Sequence, residues 1–191
     1  MKLCAIVTAA GQGKRYGGPK VFGIRDGAVF HEIIADKLQS HDIDTVWVVS
    51  GENISNELKK FPVHQSDIFA YNTNPSSDMF ASILAATQFV SAHYTHIMLW
   101  PVDFPDVTEE SINKIIASFT SEKNHYDVIK PFCDNKGGHP VIFSKRAFTL
   151  AVSTNSGGGL RDYFRNSRPI TIAVQTKSDV LRNINFKTRE K

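Results

Sequence analysis

Apolar runs of strand length alternate with amphipathic stretches of helix length along most of this 191-residue chain. The runs cover Leu3 to Ala9, Thr45 to Val49, Ile68 to Tyr71 and His96 to Trp100. Helical periodicity predicts helices over Glu32 to Leu38, Asn53 to Lys60, Met79 to Ser91 and Glu109 to Phe119, the last capped by Thr108. Strands that are apolar throughout are buried on both faces, which is the condition of a parallel sheet covered by helices. The expectation is therefore an α/β, Rossmann-like fold with a mostly parallel, mixed sheet and helices on both faces. The second half is less regular. Strands at Val128 to Pro131 and Pro140 to Phe143 flank a turn at Asn135 to Gly138, and helices at Lys145 to Val152 and Leu160 to Arg165 lead to a strand at Ile170 to Val174 and a polar tail. No proline-rich, serine-rich or low-complexity stretch divides the chain, so a single domain over residues 1–191 is expected.

Directly behind the first strand, Ala9 to Lys20 holds four glycines and the cations Lys14, Arg15 and Lys20. Glycines let successive backbone N–H groups turn toward an anion, and the flanking cations add charge, so this run reads as a phosphate-holding loop. Its place after a strand suits the rule that ligands of open α/β sheets collect beyond the carboxyl ends of the strands. Two familiar loops fit it badly. Gly11, Gly13 and Gly17 are spaced one residue too widely for the dinucleotide fingerprint, and the second strand ends in Ser50 and Gly51 rather than an acidic residue. Gly13 and Lys14 are followed by Arg15, not by the Ser or Thr of a Walker loop.

The pattern A-A-G-x-G-x-R-x-G-x-x-K, met throughout Ala9 to Lys20, resembles the signature of nucleotidyltransferases. Other segments extend the likeness. Pro101 to Pro105 places Asp103 just past a strand, as in the family's metal-binding aspartate. Lys130 and Pro131, then Gly138 to Phe143, resemble the "GHPVLF" segment of the molybdenum cofactor cytidylyltransferases. The run Asn74 to Ala86, with Met79 and Ser82, is similar to that subgroup's "GMSSSL" helix start, though Asp78 replaces a glycine and Phe80 and Ala81 replace serines. Val180 to Phe186 resembles the "DIDTPED" ending, with Asn183 and Asn185 at the leading acidic positions and Lys187 to Arg189 off the pattern.

The resemblance implies a fold of the nucleotide-diphospho-sugar transferase type and transfer of a nucleotidyl group to a phosphorylated acceptor with release of pyrophosphate. Ala9, Ala10, Gly11 and Gly13 would hold the triphosphate, with Ser82 meeting the base or capping its helix. Arg15 would bind the β- and γ-phosphates and Lys20 the α-phosphate, the geometry suiting a forked guanidinium and a point charge respectively. Asp103, with Asn185 as second ligand, would hold Mg²⁺, which takes few protein oxygens and completes its shell with phosphate and water. His139 either contacts the acceptor or hydrogen-bonds its own turn. Arg161, after Gly157 to Gly159, either meets an anionic acceptor or lies on a solvated helix face. The Ala-Ala-Gly start of the loop favours CTP, the acceptor being the pterin cofactor and the partner a molybdoenzyme or its chaperone.

Two other readings stay open: a sugar or alditol phosphate as acceptor, or a degenerate binder that carries nucleotide or cofactor without turnover. A formal charge of +3 is too small for a nucleic-acid surface. Cys4 and Cys133 show neither metal spacing nor a disulfide framework, which points to a reducing, cytoplasmic setting. No apolar stretch approaches the roughly 20 residues that span a bilayer, so no membrane association is expected. Trp47 and Trp100, inside strand runs, are expected in the core.

Overall fold

A computed structural model describes residues 1–60, 67–74, 79–121, 126–154 and 159–186. In chain order the elements are β1 (Leu3–Thr8), a 3-10 turn at Lys20–Phe22, the small strands β2 (Ile24–Arg25) and β3 (Ala28–Val29), α1 (Phe30–Ser40), β4 (Asp44–Val49), α2 (Glu52–Leu58), β5 (Ile68–Tyr71) and α3 (Met79–Thr87). They continue with β6 (His96–Pro101), α4 (Glu109–Ser121), β7 (Val128–Cys133), β8 (Lys136–Gly137), β9 (Val141–Ser144), α5 (Lys145–Ser153), α6 (Leu160–Ser167), β10 (Thr171–Gln175) and a second 3-10 turn at Ser178–Leu181.

The main sheet runs β10-β7-β9-β6-β1-β4-β5, with β8 paired to β7. The pairs β1–β4, β1–β6, β4–β5 and β7–β10 are parallel, and β9 pairs antiparallel with both β6 and β7. The expected mixed, mostly parallel sheet is therefore present. Its central strands carry little polar surface because both faces are covered: Ala5, Val7, Trp47, Met98 and Trp100 pack on one side, and Cys4, Ile6, Val46, Val48, Ile97 and Leu99 on the other. Both tryptophans are in the core, as expected.

Three departures from the sequence pattern have physical reasons. Helix α3 ends at Thr87 rather than Ser91, because Phe89 and Val90 continue as turns whose amides bond to Ala86 and Thr87 while their side chains still pack on the core. Strands β2 and β3, each two residues long, are too short to carry a period. The polar tail is an ordered strap: Asp179 accepts hydrogen bonds from the Thr108 amide and hydroxyl, His139 N–H donates to Val180 O, and Ile184 N–H donates to Asp103 O. Burial opposes ionisation of Asp179, but hydrogen bonds from Thr108, Ser111 and the Val180 amide together prevail and hold its carboxyl below the usual range. Thr108 also caps α4, its hydroxyl accepting from Ser111 N–H. Among the described residues no helix is long and apolar enough to cross a membrane.

Candidate functional site

Beyond the carboxyl ends of β1 and β6 lies a cleft of about 600 Å³. The loop after β1 forms one side of it. Gly13 anchors that loop: its carbonyl accepts the amides of Tyr16, Gly17 and Gly18, and its φ of +58° suits a residue without Cβ. A Cβ there would fall 1.8 Å from Gly18 O. Tyr16 fastens the loop to the body of the protein, its ring 5.7 Å from Phe30 and its hydroxyl accepting from Ile24 N–H. Gly11, Gly13, Lys14 and Arg15 line the cleft, and among the described residues neither cation makes an ion pair within the protein. Ala10 lines it as well, whereas Ala9 is turned into the core, its amide bonded to Val48 O.

Across the cleft, Lys20 donates from Nζ to Asp103 Oδ2 at 2.9 Å and to Asn185 Oδ1 at 2.8 Å. Three segments far apart in sequence thus meet at one ammonium. Asp103 sits on the turn after β6, where Phe104 N–H bonds to Pro101 O, and its side chain faces the loop rather than capping a helix. The strap brings in the third segment: Asn183 Nδ2 reaches Asp103 Oδ2 at 3.4 Å and Asn185 Nδ2 donates to Asn183 Oδ1. Asp106, nearly buried, pairs with Arg25 of the β2–β3 hairpin at 2.9 Å and with Arg182 of the strap at 3.2 Å, tying the Lys20 side to the Asn185 side. Gly138 lets the strap lie close, since a Cβ there would fall 2.4 Å from Val180 O.

Ser82 is buried on α3 at the edge of the cleft and accepts from Asn72 Nδ2 at 3.0 Å. Asn72, Thr8 and Met79 also line the cleft. Met79 belongs to the helix-start segment singled out in the sequence, whereas no spacing marks Thr8 or Asn72; Asn72, a polar residue ending an apolar strand run, is the one available signal. His139 is not in this cleft. It packs its ring 4.8 Å from Phe104, in a neighbouring cavity that Arg161 also lines. Burial pushes the His139 imidazole down to about 4, only partly opposed by the negative charge of Asp103. Of the other singled-out positions, Asp78, Gly157 and Lys187 to Arg189 lie outside the described residues.

The oxygens suited to a hard cation are those of Asp103 and Asn185, which already converge on one positive charge, that of Lys20. Among the described residues there is no cluster of three or more His, Cys, Asp or Glu that could hold a metal unaided. A divalent ion here would draw the rest of its shell from ligand phosphate and water, as Mg²⁺ commonly does.

Comparison with known proteins gives a family and a fold. The model of the MobA-like NTP transferase domain matches residues 5–171. Rv0371c from Mycobacterium tuberculosis H37Rv, solved in complex with manganese, superposes with a TM-score of 0.70 at 18% identity over 93% of this chain and 90% of that one. A nucleotidyl transferase from Methanothermobacter thermautotroptrophicus gives 0.75 at 17% identity, covering 97% of this chain and 93% of its own. The inositol-1-phosphate CTP transferase from T. maritima gives 0.65 at 16% identity, covering 92% and 85%. At such identities the likeness to these structures is one of fold.

Proposed function

We propose that this chain, which belongs to the MobA-like NTP transferase family, moves a cytidylyl group from CTP to a phosphorylated acceptor of the molybdenum cofactor type and releases pyrophosphate. The observation that carries this reading is the meeting of Lys20, Asp103 and Asn185 opposite a glycine-built loop with two cations that make no ion pair among the described residues.

In such a transfer an acceptor phosphate oxygen attacks the α-phosphorus while pyrophosphate leaves from the opposite side. The protein's task is placement and charge neutralisation, with no covalent intermediate. The amides from Ala10 to Gly13 cradle the triphosphate. Arg15, exposed and free to swing, takes the leaving β- and γ-phosphates in a forked contact. Lys20 leaves its two oxygen partners for the α-phosphate and stabilises the charge that builds there during attack. Asp103 and Asn185, relieved of the lysine, would be the residues to hold Mg²⁺. Lewis-acid neutralisation of the phosphate oxygens is the chemistry such an ion would supply there. The choice of CTP rests on Ala9, Ala10 and Gly11 and is supported by the fold shared with a CTP transferase, while the manganese bound in another fold relative supports a divalent ion.

A thermal-shift panel of CTP, GTP, UTP and ATP, each with and without Mg²⁺, tests this on wild type and Lys20→Ala. Ligand at a hundred times its dissociation constant stabilises by about 2.7 kcal/mol, which is readily measured. CTP with Mg²⁺ should give the largest shift, and Lys20→Ala should lose most of it. Pyrophosphate release on adding a pterin acceptor then separates a catalyst from a carrier. No shift with any triphosphate would refute the reading, and turnover with sugar phosphates alone would refute the acceptor.

A further inference from the structure

In the free chain the Lys20 ammonium stands where the Asp103 carboxylate and the Asn185 amide oxygen converge, 2.9 Å from the first and 2.8 Å from the second. The strap turns the amide oxygen there. Asn185 donates from Nδ2 to Asn183 Oδ1, and Asn183 in turn points Nδ2 at Asp103 Oδ2, so the N–H side of each amide is spent and the Asn185 oxygen is left facing the lysine. An ammonium and a divalent ion compete for such a pair: both are drawn to the same oxygens, and two cations in contact with them repel each other. The Lys20 and Asp103 side chains are less than a fifth exposed, so water and salt screen this competition only in part.

The lysine can depart without dismantling the site. Its backbone is fixed in the 3-10 turn, where Gly23 N–H bonds to Lys20 O at 2.8 Å and the neighbouring Val21 is fully buried, so the exchange needs only the four-carbon stem to swing. The oxygens stay behind. Ile184 N–H holds Asp103 O at 2.8 Å, His139 N–H holds Val180 O at 3.0 Å and Arg182 pairs with Asp106 at 3.2 Å, and none of these bonds passes through Lys20. Drawing the ammonium off takes an anion richer in charge than one carboxylate. The cleft has a place for it, since Lys14 and Arg15 line the same space and make no ion pair among the described residues.

Building on the nucleotidyl-transfer reading, we infer that Lys20 is a resident cation that keeps the Asp103–Asn185 pair closed to divalent ions in the free chain, and that a nucleoside triphosphate opens the pair by taking the ammonium onto its phosphates. Metal then joins with the nucleotide or after it, never ahead of it. The affinity of the free chain for a divalent ion is reduced to the fraction of molecules in which the lysine is swung away. By linkage, nucleotide and ion raise each other's affinity for the chain by the same factor.

Titration of the full chain with Mn²⁺ in the absence of nucleotide, followed through the electron paramagnetic resonance of the free ion, tests this. Lys20→Met and Lys20→Ala, which remove the charge, should bind Mn²⁺ about tenfold or more tightly than wild type, and the gain should vanish in the double variant Lys20→Met/Asp103→Asn. Lys20→Arg keeps a cation in place and should bind as weakly as wild type. Lys14→Met removes the same charge from the cleft without vacating either oxygen, and should alter Mn²⁺ affinity by no more than about twofold. Equal affinity in wild type and both uncharged Lys20 variants overturns the inference. A gain in Lys14→Met as large as that in Lys20→Met overturns it too, by reducing the effect to net charge, and a gain that persists without the Asp103 carboxylate does so by placing the ion elsewhere. A CTP thermal shift in wild type with no effect of Lys20 on Mn²⁺ sinks the resident-cation role alone. The expected Lys20 effect in a chain that shifts with no triphosphate sinks the nucleotidyl reading and leaves closure by Lys20 standing.

Discussion

Replacing Gly13 by alanine is the sharpest test of how the loop after β1 is held. The new methyl would sit 1.8 Å from Gly18 O and 2.9 Å from Gly18 C, both backbone atoms that no rotamer change can remove. The φ of +58° adds about 1 kcal/mol for any residue with a Cβ. Moving Gly18 away also strains the three amide bonds accepted by Gly13 O, each worth about 1 kcal/mol net. The loop is exposed and can open rather than carry the whole penalty, so the loss of global stability should be about 2 kcal/mol, or roughly 4–8 °C in Tm for a chain of this size. Triphosphate affinity should fall by about a hundredfold, since the amides and the approach to Lys20 shift together. Gly11→Ala is the matched control. An added Cβ there meets no heavy atom within 4 Å, so Tm should hold within about 1 °C, and any lost affinity then reports crowding of the ligand itself. Differential scanning fluorimetry and titration calorimetry on both variants read these outcomes. Wild-type affinity and Tm in Gly13→Ala, or equal destabilisation by Gly11→Ala, would refute the argument.

Stability should fall in acid through His139. Its unfolded imidazole takes a proton near pH 6.5 and the folded one only at about 4, so the unfolded state binds more protons in that window and stability drops as pH falls through it, by roughly 3 kcal/mol at most. Urea unfolding at several pH values should show a shallower loss in His139→Gln, the depressed His31 and His96 accounting for part of what remains. Asp106→Ala, which unties Arg25 from Arg182, should lower Tm by a few degrees and weaken CTP binding several-fold by freeing the strap; unchanged CTP affinity would show that the strap holds without it. Asn185→Asp should bind Mn²⁺ about tenfold more tightly, read by electron paramagnetic resonance, and unaltered affinity would exclude position 185 from the metal.

The sheet was legible because its central strands are apolar throughout: β1 and β6 fall within a residue of the expected limits. The loop was legible because glycine and cation spacing is local. What joins the site together was not. Lys20 meets Asn185 across 165 residues, and the strap that makes this possible is polar, with no period to mark it as structure. Its order comes from Asp179 on Thr108 and from Ile184 on Asp103, single long-range bonds that leave no local pattern. Lys130 stands in a motif, but the ring of Phe164 and the close approach of Gly137 are brought beside it by α6 and β8, which the motif does not show.

The asparagines at 183 and 185 change the electrostatics of the cleft more than its shape. Among the described residues Lys14, Arg15 and Lys20 face a single carboxylate there, Asp103, which leaves a surplus of positive charge. Carboxylates at both positions would cancel that surplus and surround the Lys20 ammonium with anions, making its release toward the α-phosphate costly. With amides in their place, Lys20 is shared between one charged oxygen and one neutral oxygen, a weaker hold that a phosphate can outcompete. The protein cations then bear more of the attraction for a triphosphate, and a divalent ion, if held by one carboxylate and one amide, would bear less. In the proposed reaction such an ion would therefore matter more for the charge that develops during transfer than for capturing the nucleotide.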